Sequence, residues 1–358
     1  MTLFPASVVG SMPRPAWVRD LVFDDVIEPE LRRTRLDAAI AAVVAMQEHA
    51  GLDVVTDGEW RRRSYIGVIA ELAHGFTLAF AADGRPLTMV TDELMPKHPG
   101  FIADEARFVR RITTRGVKVT LPAPALLGER MWDPEGSRRA YPRREDFVRA
   151  CIPILRRELE LLFEIGVDVV QIDDPHLCLF VDPEVRAQHA DADAALGFAV
   201  DALNELVDGF DRLDGPRLCV HLCRRAGARV RGEAAHQGGY APIIDAINRL
   251  RVHEVTMEFS EARAGGMDVL AMLRPELGIG LGCVGVTPGI VDDVDTIVER
   301  VERALRHVDP ARIGLVPDCG FAPGAGARVD LDEVYLKLCH EVAAAERLRE
   351  RHGGVALG

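Results

Sequence analysis

A histidine and a cysteine stand two residues apart near the middle of the chain, in the segment RLCVHLC (217–223). Residues i and i+2 of a β-strand face the same side, so His221 and Cys223 would point in one direction. This spacing suits two ligands of one metal ion. A buried core strand that happens to contain both residues is the alternative, because buried cysteine is a common small apolar residue. The segment alone does not decide between the two interpretations.

Other reactive side chains stand at the ends of short β-like runs. Eight such runs lie at 7–11, 53–59, 117–124, 168–175, 217–223, 254–260, 279–285 and 312–320. Hydroxyl, carboxylate, imidazole or thiol groups close six of them: Ser11, Asp57, Glu59, Asp173, Asp174, His221, Cys223, Glu258, Asp318 and Cys319. The third and seventh runs end with little that is reactive apart from Cys283.

Segments with helical periodicity separate these runs, at 34–50, 145–165, 191–208, 241–251, 291–307 and 331–351, with a weaker one at 262–277. This alternation predicts an α/β fold, a (β/α)8 TIM barrel whose active site forms at the carboxyl ends of the strands. The segment at about 60–116 exceeds one crossover helix and predicts a helix and hairpin insertion between strands 2 and 3. Residues 1–358 are predicted to form a single domain.

Four of the strand-end residues make a plausible ligand set for zinc: His221, Cys223, Glu258 and Cys319. Taken alone, each of the four is better explained as a core or turn residue. Cys283 is a less favoured substitute for one of these ligands. Their combination at three strand ends of one barrel favours a metal site. Zinc suits mixed imidazole, thiolate and carboxylate ligands that need no redox chemistry.

Such a ligand set favours one chemistry over another. Zinc held by two thiolates and a carboxylate is electron-rich and activates water poorly. It suits binding an incoming thiol as thiolate, since a free alkyl thiol has a pKa of about 8.5. The sequence therefore predicts S-alkylation of a thiol substrate, with the zinc-bound substrate thiolate as nucleophile and no protein group assigned as general acid.

The composition excludes several classes of protein. A net charge of −13 argues against a nucleic-acid surface or a basic membrane-binding face. The chain has no apolar stretch long enough for a membrane span and no signal-peptide pattern at its start. Seven cysteines, an odd number spread thinly, do not resemble a disulfide framework. A cytoplasmic protein is expected, and a homo-oligomer is left open.

Several motifs together resemble a known family: VVGSMPRP, GLDVVTDGEWRR, VQIDDP, HLCRR, GGYAPI, MEFSEARAG and VPDCGF. In order and spacing they are similar to the catalytic barrel of cobalamin-independent methionine synthase. They are closer to the short single-barrel proteins called methionine synthase II-like, which include epoxyalkane:coenzyme M transferase. The similarity runs from about residue 7 to 321.

The resemblance implies that His221, Cys223, Glu258 and Cys319 bind zinc. It also implies that Ser11 contacts the carboxylate of homocysteine, while Glu59 and Asp173 hold its ammonium group. Two carboxylates opposite a hydroxyl fit the head group of an α-amino acid.

The chain departs from the family pattern at three places. The family usually has DEP where this chain has Asp173-Asp174-Pro175. The short proteins usually have HLCRGN where this chain has HLCRRA at residues 221–226. The long synthase has a proton-donating histidine after the seventh strand, where this chain reads CVGVTPG around Thr287. These departures leave the thiol half of the reaction supported and the alkyl donor open, and residues 224–226 are a candidate for differing substrate choice.

The sequence thus predicts a zinc-dependent S-methyltransferase that converts homocysteine, or a similar small thiol, to its methylated form. The methyl donor would be a folate, a methyl-corrinoid on a partner protein or a small metabolite. The alternative is a zinc-dependent alkyl transferase or lyase for another thiol or electrophile. A metal-free barrel lyase and a zinc-storage protein are further rivals, since fold alone excludes neither. Arg61, Arg62 and Arg63 would either meet an anionic substrate or form a solvated surface.

Overall fold

A computed structural model describes residues 2–80, 86–212, 214–224, 236, 238–322 and 330–353. Seven parallel strands form one curled sheet in the order β1-β4-β5-β6-β7-β8-β9. Their bounds are β1 Val54–Val55, β4 Gly116–Pro122, β5 Val169–Asp173, β6 Arg217–Leu222, β7 Glu254–Glu258, β8 Gly278–Val284 and β9 Ile313–Pro317.

A short segment near the start of the chain joins the two edges of this sheet. Ala6 forms a parallel bridge to Leu315 in β9, and Ser7 forms one to Val54 in β1. The segment therefore takes the place of an eighth strand and closes the (β/α)8 barrel, which confirms the predicted fold class.

The first β-like run (7–11) forms fewer backbone hydrogen bonds to neighbouring strands than its pattern predicts, because side chains of those strands donate to its carbonyl oxygens instead. Lys118 Nζ donates to the carbonyl oxygen of Val8 at 2.8 Å. Thr56 Oγ1 donates to that of Gly10 at 2.9 Å. The backbone at 8–11 therefore does not continue the strand pairing that Ala6 and Ser7 begin.

Helices cover the outside of the barrel and the loops at its mouth. The helices Pro29–Ala50 and Arg144–Ile165 are each followed by a glycine with left-handed φ, Gly51 and Gly166, which forms the C-terminal cap. The helices are α1 Ala16–Phe23, α2 Pro29–Ala50, α3 Ile69–Leu72, α4 Phe101–Ile112, α5 Pro124–Met131, α6 Arg144–Ile165, α7 Pro175–Leu179, α8 Pro183–Arg186, α9 Ala192–Val207, α10 Ile244–Arg249, α11 Val294–Ala304 and α12 Leu331–His352. None that the structure describes is long and apolar enough to cross a membrane.

The weak helical segment at 262–277 forms two short 3-10 helices, Ala262–Ala264 and Met267–Met272. Gly265 lies between them with a φ of +83°, a value that a regular helix cannot include. The helical periodicity of this segment therefore does not yield an α-helix.

An antiparallel hairpin lies in the long segment before β4. It consists of β2 (Ala73–Phe80) and β3 (Pro86–Pro96), with α3 before it and α4 after it. Phe76 packs edge-on against Phe147 of α6 at 6.2 Å, and the backbone N–H of Leu94 donates to Tyr141 Oη at 2.8 Å. These contacts attach the hairpin to the barrel. That residues 1–358 make a single domain stays a prediction.

Candidate functional site

Three of the predicted metal ligands lie together at the carboxyl ends of β6 and β9. The ligand atoms of His221, Cys223 and Cys319 all lie within 4.8 Å of one another. The two Sγ atoms are 3.2 Å apart. His221 and Cys223 are buried, and Cys319 is partly exposed. The structure thus places an imidazole and two thiols close enough to share one metal ion.

The imidazole is oriented by a carboxylate behind it. Nδ1 of His221 lies 2.9 Å from Asp173 Oδ1, which also accepts a 2.8 Å hydrogen bond from Gln171 Nε2. His221 Nε2 is buried and has no hydrogen-bond partner in the described part of the chain. A carboxylate on one ring nitrogen and a lone pair on the other is the usual state of a metal-binding histidine.

The surroundings of His221 favour a positive charge. Burial on its own lowers the pKa of this imidazole, but the hydrogen bond to Asp173 and the nearby Cys223 thiol outweigh it and raise the pKa to about 9. A proton or a metal ion on Nε2 is stabilised by the same groups. The buried, unpartnered nitrogen and the two thiols therefore fit a metal cation.

Glu258, the fourth predicted ligand, ends β7 and is buried. Its Oε1 accepts a 2.7 Å hydrogen bond from the backbone N–H of Arg224. The group of three ligand atoms within 4.8 Å does not include its carboxylate. Its role as a fourth ligand therefore stays a prediction.

Arg224, one of the positions proposed to differ in substrate choice, holds loops together. Its guanidinium donates to the carbonyl oxygens of Gly238, Arg263 and Ala264, at 2.5, 3.0 and 3.1 Å. It also lies 4.2 Å from the centre of the Tyr240 ring. Arg224 therefore joins the loops that follow β6 and β7. Residues 225 and 226, the other two positions proposed to differ in substrate choice, lie outside the described residues.

Glu59, a predicted substrate contact, has a strained backbone. Its φ is +58°, in the left-handed region that residues other than glycine seldom adopt. Asp57 Oδ1 accepts from the Glu59 N–H at 2.8 Å, and Arg14 Nη2 donates to the Glu59 carbonyl oxygen at 2.5 Å. Strain of this kind costs roughly 1–3 kcal/mol and is concentrated at functional sites. The fold therefore holds Glu59 in a fixed and costly position.

The carboxylates of Glu59 and Asp173 lie close enough to affect each other's charge, and Asp173 also contacts His221; we call these two residues the acidic pocket. Burial raises the pKa of Glu59, and the negative charge of Asp173 raises it further, while Arg62 partly opposes both. Glu59 Oε1 accepts a 2.8 Å hydrogen bond from Thr120 Oγ1. Within the described residues, Glu59 Oε2 and Asp173 Oδ2 accept no hydrogen bond. Two carboxylate oxygens on largely buried residues are thus available to a small cation such as an ammonium group.

Ser11 lies against the segment that follows Cys319. Its carbonyl oxygen accepts from the Phe321 N–H at 2.9 Å, just beyond Cys319. A Cβ at Gly320 would collide with Ser11 Oγ, so this close approach needs glycine. The three predicted substrate contacts, Ser11, Glu59 and Asp173, therefore border the same barrel mouth as the ligand cluster. Their individual roles stay predictions.

Several residues of the site carried no clear signal in the sequence. Gln171 could have been found, because it stands two residues before Asp173 on the same strand face. Thr120 and Tyr65 had no such pattern. The Tyr65 residue is 38% exposed as a whole, but burial of its hydroxyl and the charges of Cys223 and Asp173 raise the pKa of that group.

The three consecutive arginines differ in their surroundings. Arg61 pairs with Asp37, and Arg63 pairs with Asp25 at an exposed position. Arg62 is buried and pairs with Glu105 at 2.8 Å. It also donates to Thr120 Oγ1, which in turn donates to Glu59. Of the three, only Arg63 lies on a solvated surface. Arg62 is connected to the Glu59 carboxylate through the hydroxyl of Thr120.

We expect Arg62→Met to lower the free energy of unfolding by about 3–5 kcal/mol, because it leaves the Glu105 carboxylate buried without its partner. Arg63→Met removes an ion pair whose side chains are 47% and 75% exposed and should cost no more than about 1 kcal/mol. Urea denaturation of both variants measures the difference. Equal losses would show that burial does not govern the Arg62 pair.

The loop that follows β8, which corresponds to the seventh β-like run, contains no histidine. Thr287, which stands in the region of the family's proton donor, is exposed, and its carbonyl oxygen accepts a 2.8 Å hydrogen bond from Lys337 Nζ.

Comparison with known proteins gives consistent similarities. Residues 4–347 match the model of a family described as cobalamin-independent synthase, catalytic domain. A methionine synthase of Pyrococcus horikoshii is 26% identical over 368 residues, which cover 99% of this chain and 96% of that protein. One of Sulfolobus acidocaldarius is 23% identical over 331 residues, covering 90% and 86%.

Two solved structures share the fold. A B12-independent methionine synthase from a Shewanella species, in complex with selenomethionine, has a TM-score of 0.78 at 20% identity. It covers 99% of this chain, which covers 100% of it. A methyltransferase from Methanosarcina mazei has a TM-score of 0.59 at 15% identity, with coverage of 97% and 95%. At these identities the likeness extends to the fold.

Proposed function

Because the chain belongs to the family of cobalamin-independent synthase catalytic domains, we propose that it is a zinc-dependent S-methyltransferase acting on homocysteine or a closely similar amino-acid thiol. The main support is the proximity of two features at one barrel mouth. His221, Cys223 and Cys319 form a ligand group, and Glu59 and Asp173 form an acidic pocket next to it. A thiol substrate with an ammonium group needs both.

The ligand group suits zinc because it combines one imidazole with two thiols, and Glu258 is the proposed fourth ligand. Bound there, zinc would keep a substrate sulfur as thiolate near neutral pH, where a free alkyl thiol with a pKa of about 8.5 is mostly protonated. Asp173 fixes the imidazole so that Nε2 faces the thiols.

The remaining residues orient the substrate. Glu59 and Asp173 would bind the ammonium group through the carboxylate oxygens that accept no hydrogen bond in the described structure. Ser11 Oγ would donate to the substrate carboxylate. Held at this end, an amino-acid thiol presents its sulfur to the cysteine side of the mouth, and fixed orientation accelerates transfer of the methyl group from the donor to that sulfur, with the demethylated donor as leaving group.

The methyl donor is the open half of the reaction. A folate, a methyl-corrinoid and a small methylated metabolite are the candidates. The names of the relatives, methionine synthase, favour methyl transfer over the opening of an epoxide. A sulfonate thiol such as coenzyme M lacks an ammonium group, and its charge would be opposed by Glu59 and Asp173.

A donor panel tests this function. Zinc-loaded protein is incubated with homocysteine and, in turn, with each donor carrying a deuterated methyl group. Labelled methionine, detected by mass spectrometry, is expected with one donor class. 4-Mercaptobutanoate, which is homocysteine without its amino group, is the control and should react far more slowly. Tight zinc binding with no alkylated thiol from any donor would favour a zinc-storage protein.

The state of the cysteines supports a reducing compartment for this protein. None of the seven cysteines, all of which lie within the described residues, forms a disulfide, and five of them are buried. Thiol ligands stay available for a metal in a reducing compartment, so we place the protein in the cytoplasm. Its partners would be small molecules, together with a corrinoid protein if that is the donor. The net charge of −13 argues against nucleic acid.

A further inference from the structure

Strand β8 has glycine at every second position. Gly278, Gly280 and Gly282 alternate with larger buried residues. A Cβ at Gly280 would lie 2.5 Å from Thr256 Oγ1, and one at Gly282 would lie 2.6 Å from Asp318 Oδ1. Polar side chains of neighbouring segments therefore occupy the space that side chains of β8 would fill. This also explains why β8 contributes no ligand on this face.

Asp318 uses this space to reach past β8. It immediately follows β9 and is 2% exposed. Its Oδ1 accepts hydrogen bonds from the backbone N–H groups of Phe259 and Ser260, each at 3.0 Å. Its Oδ2 accepts from Ser260 Oγ. One buried carboxylate thus joins the ends of β7 and β9 across the glycine of the strand between them.

The two joined points lie next to proposed metal ligands. Asp318 directly precedes Cys319, and Phe259 directly follows Glu258. Hydrogen bonds to an ionised carboxylate are short and about twice as strong as neutral ones. The backbone positions from which Cys319 and Glu258 project are therefore fixed relative to each other by a side chain that is not itself in the ligand group.

We infer that Asp318 is a positioning residue for the metal site. It sets the spacing between the β9 cysteine and the end of β7, and so the affinity and geometry of the bound metal. The inference rests on the proposed function, because it requires that the ligand group binds metal. Gly282 is part of the same arrangement, since a side chain there would displace the Asp318 carboxylate.

The test compares metal binding by Asp318→Ala and the wild-type protein. Zinc affinity is measured by competition with a chromophoric chelator, and geometry by the absorption spectrum of the cobalt-substituted protein. We expect the zinc Kd of Asp318→Ala to rise by about 10- to 100-fold, the usual effect of removing a residue that supports metal ligands, with shifted cobalt bands. Asp318→Asn should be affected less, because its amide oxygen still accepts from both N–H groups.

Asp292→Ala is the matched control. Asp292 is also a carboxylate that links elements, since Oδ2 accepts from the Gly285 N–H at 2.8 Å and pairs with Arg300 at 2.7 Å. It adjoins none of the proposed ligands. We expect this variant to lose thermal stability while its zinc Kd and cobalt spectrum remain those of the wild type.

A zinc Kd for Asp318→Ala within about twofold of the wild type, with an unchanged cobalt spectrum, would overturn the inference. If that variant does not fold, Ser260→Ala removes the hydrogen bond from Ser260 Oγ to Asp318 Oδ2, and an unchanged Kd and spectrum there would overturn the inference equally. A wild-type protein that binds zinc but methylates no thiol contradicts the proposed function alone. A wild-type protein that binds no metal contradicts both.

Discussion

Cys319→Ala is expected to abolish tight zinc binding and to lower methyl transfer to homocysteine by about 3,000-fold. At pH 7 a free thiol with a pKa of about 8.5 is only a few per cent thiolate, which accounts for a loss of roughly 30-fold. The sulfur is also no longer held in place, and misplacement of a reacting atom by about 1 Å can cost a further 100-fold. The two losses multiply.

Cys283→Ala is the control for this variant. Cys283 was the less favoured substitute ligand, and its Sγ lies 3.8 Å from the Val316 carbonyl oxygen in the buried core. Its removal should leave zinc stoichiometry and activity close to those of the wild type. Metal analysis and a methionine assay measure both variants. Full activity of Cys319→Ala, or of wild-type protein stripped of metal by a chelator, would rule out a zinc-dependent mechanism.

Glu59→Gln is expected to lower kcat/KM for homocysteine by about 10- to 100-fold, because a hydrogen bond to a charged group contributes roughly 1.5–3 kcal/mol. Glutamine keeps the size of the side chain and the hydrogen bond from Thr120 Oγ1. It removes the negative charge that attracts the ammonium group. The variant therefore changes the charge of the pocket and little else.

The substrate without an amino group supplies the comparison. For 4-mercaptobutanoate, Glu59→Gln and wild type should have similar kcat/KM, and both should bind zinc equally, since Glu59 lies outside the ligand group. Kinetics with the two thiols give the interaction between the carboxylate and the ammonium group. Equal losses for both thiols would show that Glu59 acts through the fold. A higher kcat/KM of the wild type for coenzyme M than for homocysteine would favour the alternative alkyl transferase.

The barrel could be predicted from the sequence because its signals are local. Parallel strands buried on both faces appear as short apolar runs, and each is followed by a helical segment that returns the chain. The runs that end in DGE, QIDDP and HLC mark the barrel mouth for the same reason. The first run was the exception. Lys118 and Thr56 satisfy its carbonyl oxygens, and no local pattern shows that.

By itself, the sequence also determined that His221 and Cys223 face one way, because the two-residue period of a strand fixes it. Only the tertiary structure decided which distant groups meet them. Cys319 joins them through closure of the barrel, and Asp173 turns the imidazole through a hydrogen bond between neighbouring strands.

The same division holds for the residues behind the site. The run of three arginines did not reveal that Arg62 is buried and connected to Glu59 through Thr120. The glycines of β8 did not reveal that Asp318 reaches past that strand to the N–H of Phe259. Spacing along one strand is set by backbone geometry, which each short segment carries in its own residues. Contacts between segments depend on strand register and on the direction of each side chain, and these are fixed only when the whole barrel packs.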